Sequence, residues 1–170
     1  MSNVPFPFLC FGGFVIVLWV VCFAFRMSTG RKSSRAIREL EEYSEKMLAR
    51  NRRIDAINGV FCQVTRGQRP ANSQEVRAYM IEYAGYAERY KQEQERWYTL
   101  LEETREKLES LRISQNMLGG ANDLGAIPYY TRTNRYNDLV HQYNLHRQAN
   151  FDVELVKQVR QLVTGTPQMP

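Results

Sequence analysis

The sequence predicts an all-α protein: an N-terminal transmembrane helix followed by an elongated antiparallel bundle of three long helices. Three observations carry this expectation. An apolar run of bilayer length opens the chain, heptad-spaced apolar residues follow it, and two short polar stretches bearing Gly and Pro divide the remainder.

The apolar run is FPFLCFGGFVIVLWVVCFAF, residues 6–25, and no charged side chain precedes Arg26. A helix needs about 20 such residues to cross a bilayer core. A cleaved signal peptide carries positive charge before its apolar run and small residues after it. Here Arg26, Arg31, Lys32 and Arg35 follow the run instead, so the segment reads as a retained signal-anchor. A buried core helix is the competing reading, but the rest of the chain is too polar to enclose a helix that is apolar on every face. Lys and Arg are enriched on cytoplasmic flanks. The expectation is a cell (inner) membrane protein with residues 1–5 outside, 6–25 spanning, 26–35 as a basic juxtamembrane segment, 36–165 as a cytoplasmic bundle and 166–170 as a tail. Trp19 falls in the cytoplasmic half of the span. Gly12-Gly13 lacks the GxxxG spacing of a dimerising helix.

The formal charge of +5 is unevenly placed. Residues 26–72 hold eleven Lys/Arg against five Asp/Glu, whereas 73–117 hold seven against nine. A basic group beside an anionic membrane gains about 1 kcal/mol. Arg26, Arg31, Lys32 and Arg35 are therefore the candidate headgroup ligands, and membrane lipids the expected partner. Nucleic acid is not expected, because Glu39, Glu41, Glu42 and Glu45 interrupt the basic stretch and no recognition motif accompanies it.

Beyond the anchor, Leu40, Met47, Ile54 and Phe61 occupy one heptad position and Tyr43, Ile57 and Val64 the other, with Arg50 breaking the pattern. That seam predicts a helix over about 33–66 that faces a partner helix. Gly59 within it suggests close helix packing. GQRPANSQE (67–75) ends the helix: Gly67 suits a C-terminal cap, Pro70 forbids continuation, and Asn72 with Glu75 resembles a capping box. The second helix is expected over 73–117, with Met80, Tyr83, Ala87, Tyr90, Trp97, Leu101, Leu108 and Leu111 as its stripe. LGGANDLGAIP (118–128) forms the next loop, and Pro128 suits the first turn of a third helix. That helix continues to Gly165 with a bend near Asn150.

The third helix contains NRYNDLVHQYNLHRQ (134–148), in which Tyr-Asn recurs after seven residues. Tyr136, Val140 and Tyr143 form one stripe, Leu139 widens it, and Asn137 and Asn144 border it. The packing reading buries the rings between helices and lets the amides fix register. A polar groove for a ligand or peptide is the alternative.

This stretch resembles the C-terminal signature of the LemA family, in which Tyr-Asn, a valine and a second Tyr-Asn recur at this spacing. Upstream, RRIDAINGVFCQVTRG (52–67) is similar to the family's Arg-Arg-x-Asp-Leu-Ile-Pro-Asn-Leu-Val-x-x-Val-Lys-Gly pattern. Arg52, Arg53, Asp55, Ile57 and Val64 stand where that pattern expects them. Asn58 replaces its proline, Gly59 its asparagine and Arg50 a leucine, and residues 68–128 show no match, so the resemblance is to a divergent member. It implies a single-pass bacterial membrane protein with a helical bundle, and it carries over no catalytic residue.

Chemistry is not expected. His141 and His146 are five apart and do not share a helix face, so they form no metal pair. Cys10 lacks the residues that precede a lipidated cysteine, and with Cys22 it lies in the anchor. Cys62 has no positioned base and borders the core. Arg52, Arg53 and Asp55 read as surface ion-pair partners, and Glu102, Glu103, Glu106 and Glu109 as a solvated face. No cofactor, metal or small-molecule substrate is implied. The expected function is a non-enzymatic, membrane-anchored scaffold or interaction protein with protein partners or self-association. A small accessory subunit of a larger membrane complex is the alternative. Tyr79, Tyr86 and Tyr98, off the main stripe, are the expected exposed aromatic residues.

Overall fold

The computed structural model describes the backbone over residues 6–117 and 123–165, and side chains over 15–116 and 129–165. Among the described residues there are four helices and no strand: α1 (Phe6–Thr65), α2 (Gln74–Met117), α3 (Asp123–His146) and α4 (Val153–Thr164). The expected three-helix bundle thus has a fourth helix, because the third helix does not bend near Asn150 but stops and restarts.

Helix α1 runs without interruption from the expected anchor into the heptad region. Pro7 falls in its first turn, where the missing N–H costs nothing, and the next proline is Pro70. Gly67 ends it in a left-handed conformation (φ 70°), which a residue with Cβ adopts only under strain. There Gly67 N donates to Val64 O (3.0 Å) and Gln68 N to Gln63 O (2.9 Å), satisfying two of the last carbonyls. The N-cap of α2 is Ser73 rather than Asn72: its Oγ accepts from Val76 N at 3.2 Å. Helix α3 begins five residues before Pro128, within the expected loop, of which residues 118–122 lie outside the described residues.

Two compact units form, residues 1–40 with 100–139 and residues 41–99 with 140–170. In the first, α1 and α2 are antiparallel. Thr29 Oγ1 meets Ser114 Oγ at 3.1 Å, and Thr104 Oγ1 donates to Ala36 O at 3.4 Å. Ser33, Ala36, Ile37 and Leu40 are buried there, as are Leu100, Leu101, Leu108, Leu111 and Leu139. In α3 it is thus Leu139 that is buried; Val140, expected on the stripe, is half-buried.

The second unit has a denser apolar core. Ile54, Ile57, Phe61 and Val64 of α1 pack with Val76 and Tyr83 of α2 and with Leu155 and Val159 of α4. Phe61 and Tyr83 lie with ring centroids 5.7 Å apart, and Phe151 stands edge-on to both Tyr83 (5.3 Å) and Tyr90 (5.1 Å). Such pairs add about 1 kcal/mol each beyond their burial. Two expectations fail here. Ala87 is exposed, and Gly59 has open space where a Cβ would stand, so it marks no close approach.

The interruption at 147–152 contains neither Gly nor Pro. It persists because side chains from other helices take the backbone groups that a continuous helix would pair. Asn51 Nδ2 donates to His146 O (2.7 Å) and Asn58 Nδ2 to Asn150 O (2.7 Å). Tyr90 Oη (2.7 Å) and Gln94 Nε2 (2.9 Å) both donate to Arg147 O. Tyr83 Oη accepts from Asp152 N (2.8 Å). Asp152 then caps α4 by accepting from Leu155 N at 2.9 Å, and Gly165 (φ 65°) closes it.

Tyr83 and Tyr143 make a controlled comparison of these hydroxyls. Tyr83→Phe leaves the Asp152 amide unpaired and is expected to cost about 1–3 kcal/mol. Tyr143→Phe keeps the ring, and the Tyr143 hydroxyl has no partner among the described residues, so near-neutrality is expected. Urea unfolding of the full chain in detergent, followed by circular dichroism, measures both. Equal midpoints for the two variants would remove Tyr83 from the support of the interruption.

Candidate functional site

The most unusual surface lies on α1 in the first unit. Val15, Ile16, Val17, Leu18, Trp19, Val20, Val21, Phe23 and Phe25 are between 48% and 65% exposed. Residues 15–25 advance three turns, so every face of the helix is apolar, and among these residues only Cys22, on the face that continues into Arg26 and Thr29, is half-buried. Trp19 stacks on Phe23 one turn later at 5.5 Å and 11°. Contiguous apolar exposure of this extent marks an interaction surface. Arg31, Lys32 and Arg35 beyond it are exposed and Arg26 is half-buried. Among the described residues no helix is long and apolar enough to cross a membrane. Described side chains begin at Val15, so residues 6–14 of the expected anchor, with Cys10 and Gly12-Gly13, lie outside them.

The Tyr-Asn repeat is divided between the units. Tyr136 and Asn137 belong to the first, where they line a groove of about 520 Å³ with Arg105, Glu106, Tyr129 and Thr133. Thr133 Oγ1 is buried without a hydrogen-bond partner among the described residues. Tyr143 and Asn144 belong to the second. Tyr143 is half-buried and stands at 90° to the fully buried Trp97, centroids 5.1 Å apart. Burial raises the Tyr143 hydroxyl pKa above the usual tyrosine range. Both Asn137 and Asn144 are exposed, so they do not fix register. Asn51 and Asn58, buried on α1, do so through the carbonyls of His146 and Asn150.

Arg50, the residue that broke the heptad, is 6% exposed. Its Nη1 donates to Glu93 Oε2 at 2.9 Å, while Nε and Nη2 donate to Asn51 Oδ1 at 3.2 and 2.9 Å. The guanidinium lies 5.2 Å from the centroid of the Tyr90 ring. Lys46 also reaches Glu93, at 3.5 Å. A charge can occupy a helix seam only with this many partners. The heptad signal therefore reads Arg50 as a fault where the fold uses it as the centre of a polar cluster.

The other motif residues are placed as follows. Ile57 and Val64 are in the core, and Arg52 and Asp55 are exposed. Arg53 pairs with Glu82, not with Asp55, through Nε (2.8 Å) and Nη2 (2.9 Å), and its guanidinium covers the Tyr79 ring at 5.0 Å. Tyr79 and Tyr86 are half-buried and donate to Glu75 and Glu82, whereas Tyr98 is exposed as expected. The second unit also has an apolar groove of about 600 Å³ lined by Met80, Tyr83, Ala84, Phe151 and Val156, with Lys157 and Arg160 at its edge. Among the described residues, no cluster of His, Cys, Asp and Glu is arranged to hold a metal ion.

Comparison with known proteins gives no further assignment: no family model, no curated protein and no solved structure matches the chain.

Two measurements test the polar contacts. Arg50→Met strands Glu93 with Lys46 as its remaining ion-pair partner and is expected to cost about 3 kcal/mol, whereas Arg50→Met with Glu93→Leu should recover most of it. Chemical unfolding of parent, single and double variants reads this directly. Glu82 is held below the usual carboxylate range by the hydrogen bonds from Arg53 first, against an opposing burial effect, with a smaller contribution from the Tyr86 hydroxyl. A depressed folded pKa stabilises above the unfolded value and is lost as pH falls through the folded one. The stability difference between parent and Glu82→Gln should therefore be present at neutral pH and vanish well below about pH 4. Because the pair is partly exposed, the difference should be under about 1 kcal/mol.

Proposed function

We propose that this chain is a single-pass, membrane-anchored helical scaffold or interaction protein that works by holding partners at the bilayer rather than by catalysis. The observation that carries the reading is the apolar surface of residues 15–25, exposed around α1 except at the half-buried Cys22 and followed by basic residues. Exposing that surface to water is unfavourable by about 25 cal/mol for each Å². Lipid covers all faces of one helix at once. Joined to the uncharged sequence before it, the segment provides the roughly 20 residues that a span needs. The N-terminal end then lies outside and the bundle in the cytoplasm, with Arg26, Arg31, Lys32 and Arg35 against headgroups. The resemblance to the LemA family agrees with this arrangement.

An accessory subunit of a larger membrane complex is the second reading. The apolar groove beside Ile81, which is 76% exposed, favours it, since a protein neighbour would cover such a surface. In this case the same anchor holds and the bundle surface is the contact.

Alkaline carbonate washing of membranes from cells expressing the full chain should leave it in the pellet. A phosphatase fused at the C-terminus should be inactive, and a fluorescent protein that folds only in the cytoplasm should be bright. Release by carbonate would overturn the anchor. Retention with an active phosphatase would reverse the orientation alone.

A further inference from the structure

We propose that Ile113 of α2 and Tyr129 and Tyr130 of α3 make a second contact, at headgroup depth, with the leaflet that receives α1. The proposal rests on the membrane reading above, and its occupant is an anionic lipid surface.

The level of these residues follows from contacts inside the first unit. Thr29 lies opposite Ser114, with their hydroxyls 3.1 Å apart, and Ala36 lies opposite Thr104. Helices α1 and α2 are thus antiparallel, which brings Ile113 level with about Gly30. Helices α2 and α3 share a groove whose α2 side includes Arg105 and Glu109 and whose α3 side includes Tyr129 and Thr133, and Arg112 is close enough to Tyr129 to feel its charge. The same antiparallel step brings Tyr129 and Tyr130 level with Ile113. Independently, the Arg132 guanidinium reaches within 4.0 Å of where a side chain on Gly30 would begin.

Gly30 is five residues beyond Phe25, the last residue of the apolar run. At 1.5 Å per residue that is roughly 7.5 Å along the helix. The polar zone on each side of a bilayer core extends about 5–7.5 Å, so this level is its outer part. Ile113 and the two tyrosines therefore stand where the interfacial belt of membrane proteins concentrates aromatic rings.

Their surroundings suit that place. Ile113 is 48% and Tyr130 62% exposed, and Tyr129 packs edge-on against Tyr130 at 5.7 Å. Arg132 and Arg112 lie beside them on α3 and α2, level with Arg31 and Lys32 of α1, though Arg112 is ion-paired with Glu109. Positive charge from three helices thus gathers at one depth. A single exposed Ile or Tyr would need no explanation. What points to lipid is that apolar, aromatic and basic groups on separate helices coincide at the level where α1 leaves its apolar run.

The test uses the full chain in vesicles of phosphatidylcholine and phosphatidylglycerol, with the phosphatidylcholine brominated either high or deep on its acyl chains. Parent tryptophan emission, from Trp19 in the run, should be quenched by the deep bromines, and Trp19→Phe should lose that quenching because Trp97 is buried. Trp19→Phe with Tyr130→Trp should regain quenching, stronger from high than from deep bromines. Trp19→Phe with Ile113→Trp gives a second report should the first variant fail to fold. Quenching at either position supports the second contact. If the parent is quenched while neither added tryptophan is, the anchor stands and the second contact is overturned. If the parent itself is unquenched by either lipid, the membrane reading falls and this proposal with it.

Discussion

The second unit is organised around backbone groups that its own helices leave unpaired. Stopping a helix at His146 and starting another at Val153 leaves carbonyls and amides without helical partners, and any of them shut off from water unpaired would cost about 1–3 kcal/mol. Asn51, Asn58, Tyr83, Tyr90 and Gln94 meet that demand from α1 and α2. Much else follows from this. Asn51 and Tyr90, already committed to the interruption, are also the groups that hold Arg50, so the buried charge is a by-product of the same register. The turn also directs α4 so that Leu155 and Val159 complete the core around Phe61.

Apolar periodicity carried most of the helical architecture into the sequence. Leu40, Met47, Ile54 and Phe61 stand seven apart and are all fully buried, as a heptad seam requires. The ends of helices were legible where the backbone itself imposes them, at Gly67 and Gly165. The interruption of α3 was not legible, because no local residue causes it; its causes lie roughly 60 to 95 residues away, on α1 and α2. Arg50 was misleading for the same reason. A charge on an apolar stripe is a defect by local rules, and only the distant Glu93 makes it tolerable. The Tyr-Asn repeat was half legible. Tyr143 does pack, against Trp97, but the asparagines beside the rings face outward. The residues that set register, Asn51 and Asn58, sat in view on α1, and their seven-residue spacing beside the seam was the available signal.

The two units draw on different sources of cohesion. Aromatic rings and branched aliphatic side chains dominate the second. In the first, hydroxyls are built into the seam, and each is satisfied close to home. Thr29 Oγ1 donates within its own helix to Phe25 O or Arg26 O, Ser33 to Gly30 O, Ser114 to Leu111 O and Thr104 to Leu100 O. Between the buried leucines of that seam, small residues with self-satisfied hydroxyls let the helices approach closely.

That self-sufficiency has a consequence for how the chain would tolerate bilayers of different thickness. A seam held by water-excluding side chains loses its driving force when lipid replaces water around it. A seam of locally paired hydroxyls and close-fitting small groups keeps its energy in either solvent. Bilayers differ by a few Å from one membrane to another, and proteins accommodate the mismatch by tilting or by deforming lipid. With hydroxyl pairing built into the Thr29–Ser114 region, the two helices there would stay together whichever response a bilayer imposes, so tilting would move them as one.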